Sequence, residues 1–366
     1  MLSCAEYIWL DGTEPTKQLR SKARILQLAD WQNVSINAFP EWGYDGSSTY
    51  QAPGHHSDLV LKPVNFVSDP IRGDGNFLVM CEVFNPDGTP HKTNTRAELR
   101  RALEAGGDAE DVWIGFEQEY TLFQGGRPYG WPEKGVPGAQ GPYYCAVGAD
   151  RAWGRELVEA HTSACLEAGL MIYGINGEVM PAQWEFQVGY RGFEGESADP
   201  LNVSDHLWLA RWLLCRIGED FDISVSLAPK PMKGDWNGAG AHTNISTRGT
   251  RDPKTGWDAI TRFVDALSKN HPAHIAVYGH GLEDRLTGHH ETCDINTFKM
   301  GERDRGASIR IPDAVSRKRY GYIEDRRPGA NCDPYQVSAR LLVTLVEANK
   351  GVQKPAGSQR SAGQVV

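Results

Sequence analysis

The sequence predicts an α+β protein of two domains, and three observations carry that. The first eighty-odd residues are strand-rich, Pro86 to Pro90 forms a joint, and everything beyond it mixes long helical periodicities with short strands. At 366 residues the chain is long enough for two ordinary domains with ample core. The expected domains are residues 3–88 and 94–349, with 350–366 as a tail.

In the first domain, Ala5 to Leu10, Gln18 to Leu26, Leu59 to Val67 and Phe77 to Phe84 are rich in β-formers and bounded by Pro, Gly and Asn. Glu41 to Asp58 is a polar, Gly-rich stretch longer than a compact domain normally carries as loop, which points to function. Thr95-x-x-Glu98 predicts a capping box that opens a helix running to Gly106 and Gly107. Next come a strand over Val112 to Phe123 and a Gly/Pro loop from Gly125 to Pro142. A helix capped at Asp150 is expected to run to about Ala168, and another spans Pro200 to Gly218 with Leu207, Leu209, Trp212, Leu213 and Ile217 on its apolar face. Shorter strands are expected at Asp222 to Leu227, His242 to Thr247, Ser308 to Ile311 and Gly321 to Asp325, and a closing helix from Asp333 to Asn349. The final KGVQKPAGSQRSAGQVV is too polar to pack and is expected to be disordered.

The net charge of −9 and a pI near 5.7 argue against nucleic acid or an anionic membrane as partner. No run approaches the ~18 apolar residues of a membrane span. The start, MLSCAEYIWLDG, lacks the basic region of a secretory signal, and the seven cysteines contain no C-x-x-C pair. A cytoplasmic protein with reduced thiols is expected.

The chemistry concentrates in carboxylates. Gly174 to Gly189, GINGEVMPAQWEFQVG, reads as a hairpin. With Pro181 and Ala182 as a two-residue turn, Glu178 falls directly opposite Glu185, a like-charge pair that destabilises the hairpin unless a cation sits between. The alternative is a splayed hairpin with both glutamates in water. In Phe116-Glu117-Gln118-Glu119-Tyr120, Glu117 and Glu119 share one face of a strand whose remaining side chains are apolar. Two buried carboxylates need neutralising, whereas a solvated face needs nothing. His242 and Glu324 are candidates to complete the set, and oxygen-dominated ligation suits Mg²⁺ or Mn²⁺ over zinc or copper. Arg303, Arg305, Arg310, Arg326 and Arg327 form a basic cluster suited to a polyphosphate and an acidic substrate, or to surface ion pairs. No P-loop motif is present.

Eight segments in order, WGYDGSSTYQ, GFEQEYTLF, PYYCAVG, GEVMPAQWEFQVG, WNGAGAHTNIST, RLTGHHET, ASIRIP and YIEDRRPGANCDPY, resemble the glutamine synthetases of the eukaryotic-like class II form, over about Ala5 to Asn349. The resemblance implies an N-terminal β-grasp domain and a C-terminal catalytic domain with a curved antiparallel sheet flanked by helices. It implies ligation of ammonia to L-glutamate through γ-glutamyl phosphate at the expense of ATP. It assigns two or three Mg²⁺ or Mn²⁺ ions per site: Glu119, Glu178 and Glu185 would hold one ion, and Glu117, His242 and Glu324 another. Trp113, Ser246, Arg251, Arg310 and Tyr322 would surround the nucleotide, and Asn237, Gly238, Arg285 and Arg326 the glutamate. Arg305, Arg310 and Arg326 would stabilise the transferring phosphoryl group, Glu291 would act as lid and proton acceptor, and Asp45 would bind ammonium in a neighbouring subunit of a homo-oligomer of paired rings, expected to be a decamer. His289 stands where many relatives carry Lys, and Tyr190 where several carry Pro. Competing readings are a γ-glutamyl ligase for an organic amine, and a metal-binding relative without activity.

Overall fold

The computed structural model describes residues 1–351, so the tail expected to be disordered lies, beyond Gly351, outside the described residues. In chain order the N-terminal strands are β1 (Leu2–Leu10), β2 (Leu19–Gln27), β3 (Trp42–Asp45), β4 (Asp58–Ser68) and β5 (Phe77–Phe84). There follow α1 (Thr95–Ala102), β6 (Trp113–Gln124), β7 (Arg127–Pro128), α2 (Arg155–Glu167), β8 (Ile172–Gly177), β9 (Gln183–Gly189) and α3 (Pro200–Asp220). Next are β10 (Ser224–Ser226), β11 (Ala241–Ser246), α4 (Arg248–Arg251), α5 (Gly256–Lys269), α6 (His271–Ile275) and α7 (Leu282–Arg285). The chain closes with β12 (Met300–Glu302), β13 (Ile309–Ile311), α8 (Asp313–Lys318), β14 (Ile323–Asp325) and α9 (Pro334–Ala348).

The first five strands form one sheet in the order β2-β1-β5-β4-β3, with β1 and β5 parallel. The stretch Glu41 to Asp58, expected as loop, contains β3 and two single-turn 3₁₀ segments. Its strand is fixed by pairing with β4, from Trp42 opposite Leu61 to Asp45 opposite Asp58. The second sheet runs β12-β13-β14-β11-β6-β9-β8, with β7 and β10 attached to the far end of β6. It is mixed where all-antiparallel pairing was expected, because β12 and β13 are parallel.

Helix starts differ from the sequence reading for local reasons. Asn94, not Thr95, is the N-cap of α1, accepting from the Ala97 N–H, so Thr95 and Glu98 lie inside the helix. The helix continues as a π-turn over Leu103–Gly107, where Gly106 takes φ 130°. α2 begins after Gly154 in the left-handed region, four residues beyond the expected cap at Asp150. α3 is capped by Asp199, whose carboxylate accepts from Leu201 and Asn202 N–H.

α3 is buried along most of its length and packs on β6 and β9, with α2 beside it on β8 and α1 and α9 against it. Along β6, Phe116, Gln118, Tyr120 and Leu122 are fully buried against that helical layer. The alternation of a strand therefore leaves Trp113, Gly115, Glu117 and Glu119 on the opposite face. Ile8, Leu10, Leu78 and Met80 of the first sheet belong to the same core cluster. Arg96 of α1 bridges Glu82 of β5 (2.9 Å) and Asp205 of α3 (2.8 Å) across this junction.

Candidate active site

The open face of β6 sets the site by register. Glu119 lies directly opposite Glu185 of β9, and Glu117 directly opposite His242 of β11. On the other edge of β11, Asn244 pairs with Glu324 of β14, and Glu324 in turn faces Arg310 of β13. Four strands thus deliver five of the six expected ligands to one place.

Glu178 arrives by another route. The hairpin loop spans Glu178 to Ala182, with Ala182 at φ 68° and Asn176, not Glu178, opposite Glu185. Expecting a two-residue turn at Pro181-Ala182 misplaces the register by two. The cross-strand like-charge pair is Glu119 with Glu185, and Glu178 stands at the end of β8 with its N–H on the Gln183 carbonyl.

One donor atom from each of Glu117, His242 and Glu324 lies within 4.8 Å of the others, and the same holds for Glu119, Glu185 and His242. The imidazole is shared between the two groups. His242 Nδ1 stands 3.4 Å from Glu117 and 3.6 Å from Glu324, while its Nε2 faces Arg285 at 3.0 Å. Glu178 lies outside the 4.8 Å groups, but its charge acts on Glu185 and is acted on by Glu119.

The electrostatics of this cluster are frustrated. Burial, then the charges of Glu117, Glu119 and Glu178, push the Glu185 carboxyl up to about 9. Burial and then Glu119 push Glu178 up to about 8. Burial also raises Glu119 to about 7, with Arg285 opposing. His242 is driven well below its ordinary value by burial and then by Arg326. Four of the carboxylates touch neutral donors: Asn244 Nδ2 to Glu117 (2.8 Å), Gly240 N–H to Glu119 (2.6 Å), Asn176 Nδ2 to Glu178 (2.8 Å) and Gln187 Nε2 to Glu185 (2.6 Å). Glu324 alone is held by cations, Arg326 at 2.6 Å and Arg310 on its other oxygen. Buried oxygens that resist ionising beside one another, with one imidazole, suit hard divalent ions.

The remaining expected residues form two flanks. Toward one end of β6, the Arg251 guanidinium lies 4.1 Å over the Trp113 ring and donates to Ser246 Oγ at 3.0 Å. Tyr190 packs edge-on against Trp113 at 5.2 Å. The Tyr322 hydroxyl is raised by burial and then by Glu117. On the other flank, Arg285 is buried, donates to the Arg326 and Arg327 carbonyls, and runs along the backbone of Gly238 and Gly240. A Cβ at Gly240 would stand 2.3 Å from Arg285 Nη2, so a side chain there would push the guanidinium out of this place. The Asn237 N–H donates to Gln140, whose amide also meets His290 at 2.9 Å.

Glu291 adopts φ 59°, with its carbonyl accepting from Arg326 at 3.4 Å and its charge felt by Glu178. Arg305 is exposed, and its carbonyl accepts from Arg326 Nε at 2.9 Å. Asp45 is not brought to the cluster by its own chain. Its side chain accepts from Ser47 and Ser48, which lower it to about 2, and it is exposed at the end of β3. Sequence reasoning missed Asn176, Gln187 and Asn244. The first two stand two residues from Glu178 and Glu185 in the sequence, which is the signal that could have found them.

A family model for the glutamine synthetase beta-Grasp domain matches residues 2–86, and one for the glutamine synthetase catalytic domain matches residues 92–357. The chain belongs to the glutamine synthetase family. It is 55% identical over 352 residues to the chloroplastic glutamine synthetase of Chlamydomonas reinhardtii, covering 93% of this chain and 90% of that one. It is 55% identical over 346 residues to the glutamine synthetase of Streptomyces viridochromogenes (94% and 97%), and 52% identical over 345 to that of Eremothecium gossypii (94% and 89%). Its activity is accordingly ATP-dependent glutamine synthesis from glutamate and ammonia, with the divalent metal use general to glutamine synthetases. No helix among the described residues is long and apolar enough to cross a membrane.

Proposed function

We propose that this glutamine synthetase works through γ-glutamyl phosphate, with Glu119, Glu178 and Glu185 holding one Mg²⁺ or Mn²⁺ and Glu117, His242 and Glu324 a second, and with room for a third. The opposed Glu119–Glu185 pair beside His242 carries this reading, because two buried carboxylates face to face can both ionise near neutral pH only around a cation. When bound, such ions supply positive charge against the phosphoryl oxygens and the substrate carboxylate.

The chain's own groups do the rest. Trp113, Ser246, Arg251 and Tyr322 bind the nucleotide, with the Trp113–Arg251 stack as the flat platform for a base. Arg310, Arg305 and Arg326 meet the charge that spreads over the transferring γ-phosphoryl group. Asn237, Gly238, Arg285 and Arg326 orient glutamate so that its γ-carboxylate attacks that phosphorus. Glu291, on its left-handed turn, closes over the acyl phosphate and excludes water, then takes the proton that ammonium must lose before nitrogen attacks. Asp45, exposed and ionised at the end of β3, serves the site of a neighbouring subunit, which makes a homo-oligomer of paired rings the working form. Residues 3–88 and 94–349 are taken as the two domains, and the cytoplasm as the compartment.

No observation favours an organic amine over ammonia. A glutamine assay with glutamate, ammonium, ATP and divalent metal omitted one at a time, run beside a panel of amines, tests the proposal. Product formation that survives removal of the metal, or an amine preferred to ammonium, overturns it.

A further inference from the structure

Each carboxylate of the cluster that lacks an arginine accepts from a neutral N–H, and Glu178 takes a second from the Val179 N–H at 3.3 Å. Three of these donors are side-chain amides: Asn176 of β8 on Glu178, Gln187 of β9 on Glu185, and Asn244 of β11 on Glu117. Resting on the reading of these glutamates as ion ligands, we infer that Asn176, Gln187 and Asn244 are positioning residues that aim one carboxylate oxygen each and leave its charge for the cation.

The placement of the amides supports this. Gln187 sits two residues from Glu185 on the same face of β9, so the strand itself sets the donor's reach, and Asn176, near the end of β8, reaches Glu178 at the first position of the hairpin loop. Asn244 holds a glutamate of the neighbouring strand, diagonally across from it, since its own register partner on β6 is Gly115. That glycine presents no side chain to the face, which leaves Asn244 free to lean toward Glu117. The orientation of the Asn244 amide is informative too. Its Oδ1 is buried without a hydrogen-bond partner among the described residues. Turning the amide over would set that oxygen against a Glu117 oxygen, so the donor is kept on the carboxylate and the acceptor is left unpaired.

The chemical identity of the donor follows from the task. A guanidinium or ammonium in these places would offset the negative charge that draws the ion, and of the five carboxylates only Glu324, whose group also contains the imidazole, is paired with arginines. A carboxamide fixes the rotamer without adding charge, which is what a residue behind a metal ligand does.

The test is manganese binding to the full-length protein without nucleotide, followed by electron paramagnetic resonance, for wild type and for Gln187→Met, Asn244→Leu and Asn176→Leu separately. Thermal midpoints are measured in parallel in excess EDTA. The expected result is a 10- to 100-fold weaker affinity in each variant with the EDTA midpoint unchanged. Where the larger side chain lowers the EDTA midpoint, the alanine variant at that position takes its place. Affinity within twofold of wild type overturns the inference, as does a variant that loses EDTA stability but not affinity, since that is a purely structural role. Wild type that binds no manganese overturns the ligand reading itself and this inference with it.

Discussion

Replacing Glu185 with Gln is expected to make the metal-free protein more stable, which is unusual for a change inside a buried active site. The carboxyl rises from an ordinary 4.5 to about 9 on folding, through burial and then through Glu117, Glu119 and Glu178. A raised value means that the folded state holds its proton more tightly than the unfolded state does. Stability is therefore full below about pH 4.5 and is lost progressively as pH rises toward about 9. At pH 7 the loss covers about 2.5 pH units, or about 3 kcal/mol at ~1.4 kcal/mol per unit. Gln carries no proton equilibrium, fills the same space, and still offers a carbonyl to the Gln187 amide. Unfolding entropy near 2 cal/mol/K per residue makes roughly 0.8 kcal/mol per kelvin for a chain of this length, so the midpoint should rise by about 4 °C at pH 7. The assay is calorimetry in EDTA at one protein concentration, at pH 5 and pH 7. The gap should shrink below about 1 kcal/mol at pH 5, and added Mn²⁺ should stabilise wild type more than the variant. A Gln variant no more stable than wild type at pH 7, or a gap that does not change with pH, would refute the frustration argument.

Metal binding should release protons from Glu119, Glu178 and Glu185, all raised, between about pH 7 and 9; binding heats identical in buffers of different ionisation enthalpy would contradict this. Arg96→Met leaves the buried Asp205 without its arginine, while Glu82 keeps Arg100, and should lower stability by about 3 kcal/mol in urea unfolding, whereas a change below about 1 kcal/mol would mean the junction does not depend on it. Arg251→Ala removes the stack on Trp113 and should raise the KM for ATP on the order of tenfold with manganese affinity intact; an unchanged KM would take the platform out of nucleotide binding. Glu291→Ala should bind ATP normally yet form glutamine about 100-fold more slowly or worse, and wild-type turnover in that variant would remove Glu291 from the mechanism.

Much of the fold was legible because its strands carry strong local signals. Phe77–Phe84 has the bounds its composition gives, and α3 follows its apolar face two residues past the expected end. Residues bearing charge in apolar strands announced the cluster, and the eight motifs fixed the order in which its members would be found. Register was not legible. The two-residue turn at Pro181-Ala182 was reasonable locally, but Leu122 N–H binds the Ala182 carbonyl, so β6 rather than the hairpin's own turn chemistry helps set the loop. That strand also pairs Glu119 with Glu185, 66 positions away, and spacing alone carries no information on such pairing. The caps failed for a similar reason: Asn94 is held by Glu82 of β5, a tertiary contact that decides which polar residue closes α1. The amide donors went unread because Asn and Gln are common surface residues, and only the partner makes them significant.

Glu117 and Glu119 can aim at one point only if the strand between them does not roll. Gln118, the residue that separates them, points to the helical side and is fully buried there. Its Oε1 accepts from Arg211 Nε at 2.8 Å and from Nη2, and its amide donates to the Ala330 carbonyl at 3.0 Å. Arg211 itself is fully buried and donates to the Cys332 and Ala330 carbonyls, so α3 grips β6 and the segment after β14 together from behind. The same geometry makes register decisive. A one-residue slip of β9 along β6 would carry Glu185 to the helical face, into the space now filled by Phe186 and Trp184, and bring an apolar ring to the cluster instead. A carboxylate there would lie in the apolar layer between sheet and helices, where the buried cation, Arg211, is already committed to Gln118 and to the Cys332 and Ala330 carbonyls, so the slipped arrangement is disfavoured by the burial of charge before any question of catalysis arises.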